Sequence, residues 1–221
     1  MPNINLHITN ASQHFAPAEI KAIKNAVVLA ESFIKSHFTF DYPVDIVVHG
    51  KSRLMATIPE DGITGRTYDS RFIIIVIDKS QHPVTESSVY ETICHELSHS
   101  LRWEKLPEYS TNLFQGMILE GLAIALEEKA LNELPAATPQ FFLTTIIETT
   151  DAEYEAMINQ LQPDFETADY DYETIFFTGN ETLPRWAGYR LGYYYVGKYL
   201  QATGRTIEQA TLDSYALFTY K

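Results

Sequence analysis

Strand-forming stretches crowd into the N-terminal part of the chain, and that asymmetry limits its fold more than any other feature. "VDIVVHG" at 44–50 and "RFIIIVID" at 71–78 are β-branched runs bounded by Pro, Gly and Asp, and both read as strands of one sheet. Between them, "ATIPEDGITGRTYDS" is a turn-rich loop or an edge strand. Residues 17–38 open with Pro17 at a first-turn position and carry Ile20, Ile23, Val27, Leu29, Phe33 and Ile34 at helical spacing. Ser88 and Glu91 have capping-box spacing and are expected to open the next helix, which runs through Trp103. After Trp103 the strand signals mostly stop. Helices are expected over 112–134, in one or two pieces over 137–161, and over 184–204 from Pro184 to a stop at Gly204. Thr206 and Gln209 then cap a final short helix, whereas the acidic, aromatic connection 163–183 carries no assignable pattern. The order predicts an α+β chain, with sheet and helices first and helices afterwards.

At 221 residues the chain suits one compact domain, or two subdomains sharing a cleft. Its net charge of −13, from 16 basic and 29 acidic residues, repels duplex nucleic acid and anionic membrane surfaces, so neither is an expected partner. No run of about eighteen apolar residues is present, and "MPNINLHITN" lacks the charge and apolar pattern of a signal peptide. Cys94 is the single cysteine, which rules out an internal disulfide and fits a reducing compartment; a cytoplasmic location is expected.

The chemistry concentrates in "YETICHELSHSLRW", residues 90–103. On a helix, His95 and His99 lie about 40° apart and about 6 Å apart along the axis, so both imidazoles reach one ion. Glu96 flanks the same side with Thr92, while Tyr90, Ile93, Cys94, Leu97 and Leu101 fall on the opposite half. In this HExxH pattern the histidines bind zinc and the glutamate works on water at the metal. Glu120 is the candidate third ligand, because from Leu113 to Leu126 it is the only charged residue in a helix that is apolar almost all round. A lone buried carboxylate costs several kcal/mol unless it is neutralised, paired or bound to metal. Taken alone, Glu120 is equally consistent with a buried salt bridge or a protonated side chain. A third histidine six residues after His99 is excluded, since Lys105 stands there and no histidine follows His99 at all.

HExxH followed by a Glu on a second helix resembles the gluzincin clan of zinc metallopeptidases, of which thermolysin is the best-known member. More closely, "ICHELSHSLRW", "ILEGLAIALEE" and "LPRWAGYRLGYYYVGKYL" together resemble a bacterial family of predicted Zn-dependent proteases of unknown function. The resemblance implies one zincin-like domain over 1–221, with an upper sheet-and-helix subdomain at about 1–104, a helical lower one at about 105–221, and a cleft floored by the HExxH helix. It implies one zinc on His95, His99 and Glu120, with Glu96 as general base and acid. Two departures stand out. The Asp that orients a histidine four residues after the ligand Glu is replaced by Ile124, and the downstream histidine that stabilises the oxyanion is missing.

Gly188 and Gly192 would let the 184–204 helix approach a neighbour closely, with Tyr189, Tyr193 and Arg190 beside them. Tyr189 is the first candidate for an oxyanion donor, with Tyr193 or Arg190 as alternatives; equally, the tyrosines pack in the core. The acidic stretch Asp164 to Glu181 reads as a solvated loop, or as a border that favours basic substrates. Cys94 points away from both histidines and reads as a small buried apolar residue.

The expected function is zinc-dependent peptide-bond hydrolysis, on peptide or protein substrates aligned along the edge-strand backbone near Gly62 to Tyr68. Two rivals stay open: a zinc hydrolase acting on a non-peptide amide, and a noncatalytic binding module.

Overall fold

A computed structural model describes residues 3–51, 55–135 and 137–220. It is a mixed α+β fold in which a four-stranded sheet, with one helix between its first two strands, precedes the remaining helices, as the sequence pattern predicts. The chain divides into two compact units, one formed by 1–105 with 126–142, the other by 106–125 with 143–221.

The first unit holds the sheet, in the order β1-β2-β4-β3. Strands β1 (Ile4–Thr9), β2 (Val44–Gly50) and β4 (Phe72–Ile77) run parallel, with Ile46 opposite both Leu6 and Ile73. The stretch left open as loop or edge strand resolves into β3 (Ile63–Asp69), which pairs antiparallel with β4 at the sheet margin. β1 has no counterpart in the sequence reading: Ile4, Leu6 and Ile8 alternate with Asn5, His7 and Thr9, a half-buried pattern too short to announce itself. β2 shows the same alternation more strongly, with Val44, Ile46 and Val48 fully buried and Asp45 and His49 exposed.

Helix α1 (Pro17–His37) begins at the expected proline, and the Glu19 carboxylate accepts the Ala16 backbone N–H at 2.6 Å. Its inward positions, Ile23, Ala26, Val27, Ala30, Phe33 and Ile34, are all apolar and buried. Helix α2 (Glu86–Lys105) carries the HExxH motif but opens differently from expectation. Thr85 and Ser88 cap each other, with Ser88 N–H donating to Thr85 Oγ1 at 3.0 Å and Thr85 N–H donating to Ser88 Oγ at 3.3 Å. Ser88 is therefore the third residue of the first turn and not its cap, and Glu91 is freed for a role in the interior. Both faces of the helix are covered: from Ser88 to Arg102 every residue except Thr92 is buried, including His95, Glu96 and His99 of the polar face.

Helix α3 (Leu113–Asn132) runs from the second unit into the first. The remaining helices of the second unit are α4 (Phe141–Ile147), which begins in the first unit, α5 (Asp151–Leu161), α6 (Ala187–Thr203) and α7 (Ile207–Thr211). α6 starts at Ala187 and not at Pro184, because Trp186 sits at φ 60°, a left-handed conformation that no helical residue adopts. It ends as predicted at Gly204, φ 68°, and the Thr206/Gln209 capping box opens α7. The unassigned connection holds a short 3₁₀ turn at Gln162–Asp164 and a wide π turn at Thr174–Thr178.

Gly192 explains how α6 meets α3: a Cβ there would overlap the Met117 carbonyl, and one on Gly121 would overlap the Gly192 backbone. The close approach read from the glycine spacing is thus made at Gly192, while Gly188 lies against the Phe176 ring. Among the described residues, no helix is long and apolar enough to cross a membrane.

Candidate metal centre

His95 and His99 lie one turn apart on α2, both more than nine-tenths buried, with ring centroids 5.1 Å apart. Glu120 lies on α3, half-buried as a residue but with its Oε2 sealed from solvent. One ligand atom from each of His95, His99 and Glu120 falls within 4.8 Å of the other two. Two imidazoles and a carboxylate at that spacing form a donor set that suits zinc.

The tautomer of His95 follows from its neighbour. Nδ1 of His95 lies 2.8 Å from Oε2 of Glu127, so Nδ1 carries the proton and Nε2 keeps its lone pair. This supplies the orienting carboxylate that Ile124 cannot provide. Glu127 follows Glu120 by seven residues, which on a helix returns to within about 20° of the same face. The sequence reading missed it, although that spacing was the available signal. Glu127 is buried, and burial raises its pKa against the opposing pull of His95.

Behind Glu127 stands Glu91, one turn before His95 on α2 and fully buried. Burial and the neighbouring Glu127 charge push its pKa up to about 10. Both of its oxygens lie 3.2 Å from the Gln140 backbone N–H. The Gln140 side chain in turn donates to the Ser88 carbonyl at 3.2 Å and to Thr92 Oγ1 at 3.3 Å. Asp61 caps the next turn, accepting from Phe141 N–H at 2.7 Å and Phe142 N–H at 2.9 Å.

Glu96 projects toward β3. The Thr67 hydroxyl lies 2.7 Å from Glu96 Oε2 and 2.9 Å from the Glu96 carbonyl. At Gly65 a Cβ would stand 2.5 Å from Glu96 Cγ and Oε1, so only a glycine lets the carboxylate lie flat against this strand. Gly65 and Thr67 are a second pair that the sequence reading did not single out.

The residues proposed from α6 have varied surroundings. Tyr189 is buried among aromatic rings, 5.6 Å from Phe176 and 6.3 Å from Phe177. Arg190 is engaged with α5 and the turn before it, 3.4 Å from Thr149 Oγ1 and 3.6 Å from Glu153 Oε1. Tyr193 is half-buried. A tyrosine not considered from sequence, Tyr170, places its hydroxyl over Gly116, one turn before Glu120, whose charge helps raise its pKa after burial. Cys94 is fully buried and burial raises its pKa, in keeping with its reading as a packing residue.

The family described as predicted Zn-dependent protease (DUF2268) matches residues 24–218, and the chain belongs to that family. No curated protein and no solved structure matches it.

Proposed function

We propose that the chain is a zinc metallopeptidase of gluzincin type, zincin-like in architecture, that holds one zinc on His95, His99 and Glu120. The observation that carries this reading is the convergence of those three donors, backed by a carboxylate on the far nitrogen of His95. The family description supports the protease class. A bound zinc would supply an acidified water and a Lewis acid for the scissile carbonyl.

In this reading Glu96 is the general base that takes a proton from the attacking water and the general acid that returns it to the leaving amine. Thr67 holds one carboxylate oxygen of Glu96 and leaves the other for the proton. β3 is the margin of the sheet, and beyond the Ile58–Ile63 bridge its outer side would align an extended peptide by strand addition. Tyr189, Tyr193 or Arg190 would stabilise the oxyanion, Tyr189 first. The single cysteine fits a cytoplasmic setting.

The test is the Glu96→Gln variant of the purified protein, assayed on casein, a peptide library and small amides after zinc loading. Stoichiometric zinc with peptide turnover lost is the expected result. Undiminished turnover would remove Glu96 from the chemistry, and cleavage of small amides alone would replace the peptidase by an amidase.

A further inference from the structure

A histidine on a helix has its ring placed by χ1, but its ring plane is loosely held, because the χ2 torsion about an sp³–sp² bond has broad minima. A metal ligand needs both, since the donor lone pair lies in the ring plane and must point at the ion. His95 takes its plane from the Glu127 carboxylate on Nδ1. For His99 the residue that lies parallel to the ring is Trp103, one turn further along α2. The two rings are stacked, with centroids 5.8 Å apart and planes inclined by only 22°. His95 stands nearly perpendicular to the same imidazole, at 78°, and so offers it no parallel surface. The turn that carries Trp103 is itself tied down. The next residue, Glu104, accepts from Ser70 Oγ at 2.7 Å and from Arg71 Nε at 3.2 Å, which holds the end of α2 against the turn between β3 and β4.

We propose that Trp103 is a positioning residue of the metal centre: its indole, stacked on His99, fixes the plane of that imidazole and favours the metal-bound form of the ring. Two effects combine. The first is geometric, since a broad rigid ring packed parallel to the imidazole restricts rotation about χ2. The second is electronic. An imidazole that gives its lone pair to a divalent cation becomes electron-poor, and among side chains the indole face attracts positive charge most strongly. The empty imidazole lacks that charge, so the stack stabilises the loaded site more than the empty one and is read out as affinity. A phenyl ring at position 103 keeps a parallel face with a weaker pull, whereas an aliphatic chain keeps neither. The two histidines of α2 are thus held by different devices, His95 by a hydrogen bond and His99 by a ring face.

The inference rests on His99 as a metal ligand, so the experiment separates the two ideas. Zinc affinity of the metal-free full chain is measured by competition with a chromophoric chelator, alongside thermal unfolding without metal, for the parent, Trp103→Phe, Trp103→Leu and His99→Ala. The expected pattern is a loss of about twofold to fivefold for Trp103→Phe, a loss of about 10- to 100-fold for Trp103→Leu, and no stoichiometric zinc for His99→Ala. Phenylalanine and leucine both leave part of the indole's space empty, so a role in packing alone would lower affinity equally in the two; recovery by phenylalanine marks the ring face. A second readout is spectroscopic. The chain has two tryptophans, so the emission that Trp103→Phe lacks belongs to the indole at 103, and zinc should change the emission of the parent but not of that variant. Should Trp103→Leu fail to fold, this titration still decides: a zinc response of equal size in parent and Trp103→Phe would overturn the proposal. Parent-like affinity in a folded Trp103→Leu protein, with zinc lost in His99→Ala, would overturn it while leaving the metal site intact. Stoichiometric zinc in His99→Ala would overturn the site itself.

Discussion

Helices α1 and α2 are neighbours of nearly equal length, 21 and 20 residues, in one unit, yet they bury different things. α1 turns Ile23, Ala26, Val27, Ala30, Phe33 and Ile34 inward and keeps its lysines, Lys21, Lys24 and Lys35, exposed. α2 buries Ser88, Glu91, His95, Glu96, Ser98, His99, Ser100 and Arg102 among its leucines and isoleucine. Burial of apolar groups stabilises without further conditions, whereas each buried polar group costs free energy until a partner is found. α1 is a packing helix whose residues answer to the core. α2 is stable only because β3, α3 and the Gln140 backbone bring it partners, and that dependence marks it as the helix with a task.

The sharpest way to break this contrast is to truncate one member of each helix. His99→Ala is expected to abolish stoichiometric zinc, measured by metal analysis after gel filtration, while the apo protein still unfolds cooperatively. Ile34→Ala should do the reverse. It opens a cavity under a fully buried side chain and costs about 2–5 kcal/mol in chemical denaturation, with zinc affinity unchanged. If Ile34→Ala lowered zinc affinity as strongly as His99→Ala, the two helices would be one cooperative unit and the division of labour would be wrong.

A pH titration sharpens the comparison through Glu91, which faces Glu127, Asp61, Cys94 and the Gln140 N–H. Its folded pKa is raised from 4.5 to about 10, so the folded state holds a proton that the unfolded state releases. The associated stability is full below pH 4.5 and is lost progressively as pH rises toward about 10. In chelator, unfolding free energy should therefore fall by up to about 1.4 kcal/mol per pH unit across the neutral range, and Glu91→Gln should flatten that slope. An unchanged slope in the variant would show that another group carries it. Gly65→Ala is a smaller perturbation: the added methyl displaces the Glu96 carboxylate, so turnover should drop about tenfold, roughly 1.4 kcal/mol, with zinc still bound.

Much of this contrast was legible in the sequence, and the part that was not has a physical reason. The His95, Glu96 and His99 spacing and the isolated Glu120 depend on helical periodicity alone, which a sequence displays directly. The breaks at Pro17, Gly204 and Thr206 are likewise local. Glu91, Gly65 and Thr67 were invisible because their meaning is tertiary, whereas Glu127 showed only as a second glutamate seven residues after Glu120. Glu91 looked like a capping residue since Ser88 precedes it by three, but Thr85 takes the cap, and the buried carboxyl declares itself only beside Glu127. β1 was missed because a six-residue strand at a sheet margin needs its partner, β2, to be recognised. Trp186 bends the chain where Pro184 alone suggested a helix start.

The smallest expected effect belongs to α1's polar face. Lys35 Nζ lies 2.5 Å from Glu31 Oε1 at i,i+4 spacing, with the lysine side chain 40% exposed. Water and salt screen such a pair, and ordering the lysine costs side-chain entropy, so Lys35→Ala should change stability by only about 0.3–0.5 kcal/mol. Glu31 itself does more, since the same oxygen accepts the Asn3 backbone N–H at 2.6 Å and ties the start of β1 to the helix. Glu31→Ala should accordingly cost more than Lys35→Ala, by about 1 kcal/mol, the usual net worth of one hydrogen bond. Denaturation midpoints of the two variants at low and high salt check this. A Lys35→Ala loss as large as that of Glu31→Ala, and abolished by salt, would mean that α1 also depends on a polar partner, and the line drawn between the two helices would have to move.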